Sequence, residues 1–208
     1  LLPAIGAVRE QGRRIQCLNN LRQHGIAWYL YLEDHDYHFV KYNPDRVSLD
    51  SADNYTTGGK KGISPDTGGT DTAQNRPLNR YLEITDETSP NLALFHCPND
   101  KDEFKNLSGQ TFGYNVYDFH GTSYIANGRI LIYTTSGSAP GPEGYQARPF
   151  STITLPKDKV LLEMDYNLNT PGHGEKGDQN DSKTPVMVLF VDGHVGGPFL
   201  YNEDFSEF

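Results

Sequence analysis

The sequence predicts an α+β domain: one long N-terminal helix, then a mainly antiparallel sheet carried between long polar loops. Three observations predict it. Apolar residues recur at mostly three-, four- or seven-residue spacing through Leu2, Ile5, Val8, Ile15, Leu18, Leu21, Trp28 and Leu32. No proline interrupts residues 4–43. Short β-prone runs bounded by Gly, Pro, Asn and Asp then fill the second half of the chain.

At 208 residues the chain has the size of one large domain or two small ones, and with no internal repeat or second core it reads as one domain, 1–208. Thirteen tyrosines, ten phenylalanines and one tryptophan are too many aromatics for a disordered chain. The net charge of −9 argues against a general nucleic-acid binder. No apolar run of about 18 residues is present, so the chain as given holds no complete transmembrane helix. The glycine-rich nucleotide signatures, HExxH and CxxC are all missing.

A helix of about 30–35 residues is about 45–50 Å long, more than so small a domain can cover. Residues 1–38 are therefore read as a helix whose N-terminal stem stands clear and whose second half packs on the head, residues 39–208. Arg9, Arg13, Arg14 and Arg22 decorate its other faces. Residues 41–76 read as a long surface excursion. Residues 77–84 read as a short helix with proline in its first turn. Strands are expected at 91–96, 130–134, 159–164 and 186–191, with weak alternation over 111–117, and Gly/Pro or polar loops at 136–149 and 166–184. Asp192-Gly193, followed by His194-Val195, fits a two-residue type I′ hairpin turn.

Three stretches resemble bacterial prepilin-like proteins related to the type II secretion pseudopilins. They are Leu1-Leu2-Pro3-Ala4 leading into the Arg-rich helix and Cys17-Leu18-Asn19-Asn20-Leu21; Phe95-His96-Cys97-Pro98-Asn99-Asp100, similar to the family's F-x-C-P-[SN]-D segment; and Val188-Leu189-Phe190-Val191-Asp192-Gly193-His194-Val195, similar to its C-terminal DGHV hairpin. The family's His ten residues before that Asp is Ser182 here, preceded by Asp181, and the nearest upstream histidine is His173.

The resemblance implies a type IV pilin-like fold and a non-catalytic filament subunit. Its precursor would be anchored in the inner membrane by an apolar helix absent from this chain, then trimmed and methylated after cleavage by a prepilin peptidase. The head would face the periplasm or the cell exterior. Partners would be other pilin-like subunits and the secretion machinery, with no nucleic acid. Packing would fall to Leu2, Ile5, Val8, Arg9, Arg13 and Arg14. Residues 1–41 hold five basic and four acidic side chains, so the negative charge lies on the rest of the chain. The alternative for these arginines is a solvated helix face.

In an oxidising periplasm Cys17 and Cys97 are expected to pair; the alternative is two buried thiols. No cofactor is required, but calcium is a candidate ligand of Asp165, Asp178, Asn180, Asp181 and Asp192, oxygen-rich loop residues of the kind that ion takes. Turn chemistry explains the same residues without a metal. A metal-dependent hydrolase would instead draw His173, His194, Asp165 and Asp192 together. The aromatics crowd at Trp28, Tyr29, Tyr31, Tyr37 and Phe39 and again at Phe112, Tyr114, Tyr117, Phe119 and Tyr124. They are read as core, with stacking on sugars in a surface carbohydrate-binding module as the alternative.

Overall fold

Helix α1 spans Leu2–Asp34, 33 residues, in the computed structural model of the chain, which describes residues 2–42, 51–52, 55–63, 70–100, 113–131, 133, 145–154, 161–165 and 184–201. Its inner face gives Cys17, Leu21, His24, Trp28, Tyr31 and Leu32 to the interior. That alternation of four- and three-residue steps keeps side chains on one side of a helix. The helix ends with neither proline nor glycine. Asp36 and Tyr37 take left-handed backbone, φ 51° and 57°, and the Tyr37 N–H donates back to the Leu32 carbonyl at 2.7 Å. His35 Nδ1 lies 2.8 Å from the Tyr31 carbonyl oxygen. Both contacts satisfy carbonyls that a helix end leaves open.

Two short ladders follow. β1 (Lys41–Tyr42) pairs parallel with β2 (Ser51–Ala52), and β3 (Gly62–Ile63) pairs antiparallel with β4 (Thr70–Asp71). After α2 (Val116–His120) comes β5 (Tyr124–Ala126), then α3 (Gly128–Leu131). β6 (Leu161–Asp165), β7 (Thr184–Phe190) and β8 (Val195–Tyr201) complete the main sheet. Its order is β5-β6-β7-β8, each strand antiparallel to the next. The coarse expectation of an N-terminal helix and antiparallel sheets in a mixed α+β chain holds.

β7 shows why its sequence is continuously apolar. Met187 and Leu189 join the main core under α1, whereas Val186, Val188 and Phe190 pack with Met164 on the opposite face. A strand buried on both faces has no polar side to alternate. Gly25 lets the helix come close: a Cβ there would stand 3.1 Å from Leu189 Cδ1.

Five local expectations need correction. Residues 91–96 are not a strand; Pro90–Phe95 is a 3-10 helix, with proline in the first turn where its missing N–H costs nothing. Leu92 and Phe95, three apart, are its buried residues. In the expected strand at 130–134, Ile130 and Leu131 are instead the end of α3, where their N–H groups both donate to the Asn127 carbonyl and both side chains are buried, whereas Tyr133 makes an isolated antiparallel bridge to Gln146. The described end of 111–117 enters α2, capped by Asn115 Oδ1, which accepts from the Asp118 N–H at 2.7 Å. The short helix expected over 77–84 is a 3-10 turn, Asn79–Leu82.

The hairpin is the fifth correction. Phe190 and His194 bracket a three-residue loop: Gly193 N donates to Phe190 O and Phe190 N donates to His194 O, both at 2.9 Å. Only Gly193 has positive φ, 88°, which is a type I turn closed by a glycine bulge rather than a two-residue type I′ turn. A Cβ at Gly193 would also meet Tyr29 Cε2 at 3.0 Å. Gly193→Ala is therefore expected to cost about 1–2 kcal/mol in thermal or urea unfolding.

Candidate assembly surface

The first half of α1 stands off the head. From Ile5 to Gln16 every side chain is exposed or half-buried, and Cys17 is the first that is fully buried. The side chain of Leu2 lies outside the described residues. Ile5 is 49% exposed, Val8 72% and Ile15 49%, a large apolar surface on a free-standing rod. Farther along the helix Ile26, Tyr29 and Leu30 are exposed too. At 3.6 residues per turn these six side chains fall within an arc of about 120°, opposite the face that packs on the sheet. The helix thus carries two apolar faces, one covered by the head and one bare.

The arginines divide. Arg9 is exposed. Arg13 and Arg14 turn to Glu10, at 3.7 Å and 3.2 Å, and Asn99 of the head donates to Glu10 Oε1 at 3.0 Å. Glu10 thus marks where the head reaches the stem. Half-exposed pairs of this kind contribute about 0–1 kcal/mol.

The bare face runs into a groove of about 380 Å³ between α1 and the hairpin tip, lined by Ile26, Tyr29, Leu30, Glu33, Tyr37 and Asp192 among others. The Tyr29 hydroxyl donates to the Val191 carbonyl at 2.9 Å and pins the tip to the helix. Burial pushes the Tyr29 phenol up, and the nearby Asp192 carboxylate pushes it the same way. Asp192 Oδ1 accepts from the His194 backbone N–H at 3.1 Å and lies 2.5 Å from its Nδ1. The His194 ring stacks on Phe190 with centroids 4.2 Å apart. The Asp192-Gly193-His194 motif thus shapes a rigid tip whose outer edge carries a carboxylate.

The Phe95–Asp100 motif folds beside α1 as well. Asp100 is buried and accepts from three donors: the Val116 N–H at 3.0 Å, the Tyr117 N–H at 2.7 Å and the Ser123 hydroxyl at 2.6 Å. With Asn115 it satisfies the donors that open α2. Burial raises the Asp100 carboxyl above its ordinary value, and those three bonds and the charge of His96 offset part of that rise. A second polar cluster joins helix to sheet. His24 Nδ1 lies 3.0 Å from Glu163 Oε1, His24 Nε2 lies 3.1 Å from the Leu94 carbonyl, and Trp28 Nε1 donates to Glu163 Oε2 at 3.0 Å. A register shift in β6 between Leu161 and Glu163 turns Glu163 toward α1 beside Leu162, which also packs in that core.

The expected Cys17–Cys97 bridge is not formed; both are buried thiols. The helix and the 96–99 segment are held by polar contacts instead, through Asn20 Nδ2 to the His96 carbonyl at 3.2 Å and Asn99 to Glu10. The two sulfurs serve as small core hydrophobes.

Of the expected calcium and metal ligands the structure describes Asp165, Asp192 and His194, and it does not bring Asp165 to Asp192. Leu161 pairs with Phe190 near the hairpin tip, and Asp165 pairs with Tyr124 four residues farther along β6, about 13 Å away at strand spacing. Asp165 and Asp192 thus lie toward opposite ends of the sheet. Asp178, Asn180, Asp181 and His173 lie outside the described residues. Among the described residues no group of three His, Cys, Asp or Glu side chains is placed to hold a metal, and no helix is long and apolar enough to cross a membrane.

Of the aromatics, Trp28, Tyr31, Phe39 and Tyr124 are core, whereas Tyr29, Tyr37 and Tyr114 are exposed. Tyr117 is half-buried, its phenol pushed up to about 12 by burial and next by Asp118. Phe119 packs partly against Val116, and Phe112 lies outside the described residues. Compared with known families, characterised proteins and solved structures, the chain matches none of them.

Proposed function

We propose that the chain is a non-catalytic subunit of a pilin-like filament, its head facing the periplasm or the exterior and its long helix serving assembly. One observation carries the reading: α1 exposes two apolar patches opposite its packed face, Ile5, Val8 and Ile15 on the stem and Ile26, Tyr29 and Leu30 beside the hairpin. Apolar area of that extent on one side of a rigid rod favours a helical or flat partner. The head supplies the rigidity, because the His24–Glu163–Trp28 cluster and the Asn20 contact fix the second half of α1 to it. The resemblance of the helix start, the Phe95–Asp100 segment and the hairpin to prepilin-like proteins supports the same class.

The test is self-assembly of the chain. Light scattering and negative-stain electron microscopy over a rising concentration series are expected to show particles that lengthen. A chain that stays monomeric to millimolar concentration and binds a glycan array through its exposed tyrosines would replace this reading with a carbohydrate-binding module.

A further inference from the structure

The bare face of α1 consists of two patches on one straight element. The stem patch holds Ile5, Val8 and Ile15; the second patch, with Ile26, Tyr29 and Leu30, floors the groove under the hairpin tip. Along the axis the stem patch covers about 15 Å and the helical floor of the groove about 16 Å, so their lengths match. Because both lie on one rigid helix, a stem cannot reach its own groove. The contact is available only between copies.

We propose that the stem of one copy docks, parallel, into the α1–hairpin groove of the next, staggered by about five helical turns, so that copies zip into an open polymer. This rests on the filament reading and names its contact. Val8 and Ile26 are 18 residues apart, five whole turns, and so share one azimuth on the helix. Sliding one copy by that interval sets Val8 against Ile26.

One charge pair favours the parallel direction. Arg9 flanks the stem patch on one side, and Asp192, beside Gly25 and Tyr29, flanks the groove on the other. Two parallel helices that face each other bring opposite flanks together. The same stagger sets Arg9 level with residue 27, between Gly25 and Tyr29, and therefore beside Asp192 of the neighbour. An antiparallel pair would separate them.

A stagger of about 27 Å per copy puts every second copy on the same side, about 54 Å along. Heads then alternate on the two outer sides of the paired helices. The contact is heterologous and does not close on itself, which is the arrangement that gives fibres rather than dimers.

Two double variants test this. Val8→Glu with Ile15→Glu spoils the stem and spares the groove; Ile26→Glu with Leu30→Glu spoils the groove and spares the stem. All four positions are exposed, at 72, 49, 53 and 40%, so the fold is expected to survive, and unchanged circular dichroism checks it. Each variant alone is expected to be monomeric, with association at least about thirtyfold weaker than the parent chain. Mixed, they are expected to give a 1:1 heterodimer that grows no further.

The pairing of Arg9 with Asp192 is checked by Arg9→Cys plus Asp192→Cys in one chain, which is expected to give a ladder of disulfide-linked oligomers on mild oxidation. Parent chain that lengthens while both double variants assemble as well as it does overturns the docking and leaves the filament reading standing. A parent chain that stops at a closed dimer, or complementary variants that stay monomeric when mixed, also overturns it. Strict monomer at millimolar concentration overturns both.

Discussion

Glu163→Ala is expected to be among the most damaging single changes in the head, costing about 3–5 kcal/mol in urea unfolding. Glu163 and His24 are 1% and 0% exposed, and the carboxylate answers two donors on α1, Trp28 Nε1 and His24 Nδ1. The other imidazole nitrogen faces the Leu94 carbonyl. Both ring nitrogens thus lie within hydrogen-bond distance of an oxygen. Truncation leaves the indole N–H without an acceptor and His24 Nδ1 without its partner, in a site lined by Phe95 and Tyr124 rings. Water does not reach it to compensate.

Glu163→Gln separates shape from charge. An amide can still accept from the indole through its oxygen and donate to Nδ1 through its nitrogen, so about 1–2 kcal/mol is expected. Replacing both partners, His24→Met with Glu163→Met, strands the Trp28 N–H and takes the His24 contact from the Leu94 carbonyl, and about 1–3 kcal/mol is expected. The order Ala worst, double Met intermediate or mild, Gln mild is the signature of a hydrogen-bonded buried cluster. Equal losses for Glu163→Gln and Glu163→Ala would mean that packing volume alone is felt there.

The sequence carried α1 because its periodicity runs uninterrupted for eight turns. It carried β6 and the β7–β8 hairpin because an apolar run next to Asp-Gly has few other solutions. It did not carry which side of α1 is inside. Ile15 and Leu18 belong to the same periodic series, yet Ile15 is bare while Leu18 packs against the core. A helix with two apolar faces has no single moment, so tertiary contact decides. Hence the exposure of Ile5 and Val8 was legible, whereas Tyr29 reads as core and Ile26 and Leu30 carry no signal of their own. Residues 91–96 read as a strand because the run Leu-Ala-Leu-Phe is apolar; Pro90 and the three-residue spacing of Leu92 and Phe95 select the 3-10 turn. β5 has three residues, too few to show alternation. The polar core had no local signal: His24 and Glu163 are 139 positions apart, and only a shift in the β6 register brings them together.

Asp100 poses a conflict between burial and hydrogen bonding, and its variants are expected to show which wins. Three donors favour its charged form, but burial is the larger effect and raises the carboxyl above its ordinary value. Folded protein therefore keeps a proton on Asp100 at pH values where the unfolded chain, near 4, has already released it. The contribution of this group is fully present below the unfolded value and declines as pH rises through the raised folded value. Relative to Asp100→Asn, the parent chain is thus expected to lose stability on going upward from about pH 4 and to level off above the folded value. A difference that grows with pH would show that the three bonds outweigh burial. Asp100→Ala removes the acceptor outright and strands the first two α2 amides and the Ser123 hydroxyl, none of which is near solvent. About 3–4 kcal/mol is expected, with loss of α2 protection in hydrogen exchange before the rest of the head. Because Asn99 next door holds Glu10 on the stem, that local opening also frees α1 at the point where it leaves the head. Asp100→Ala should therefore blur the angle at which the stem is presented, and weaken assembly at concentrations where the head itself is still folded.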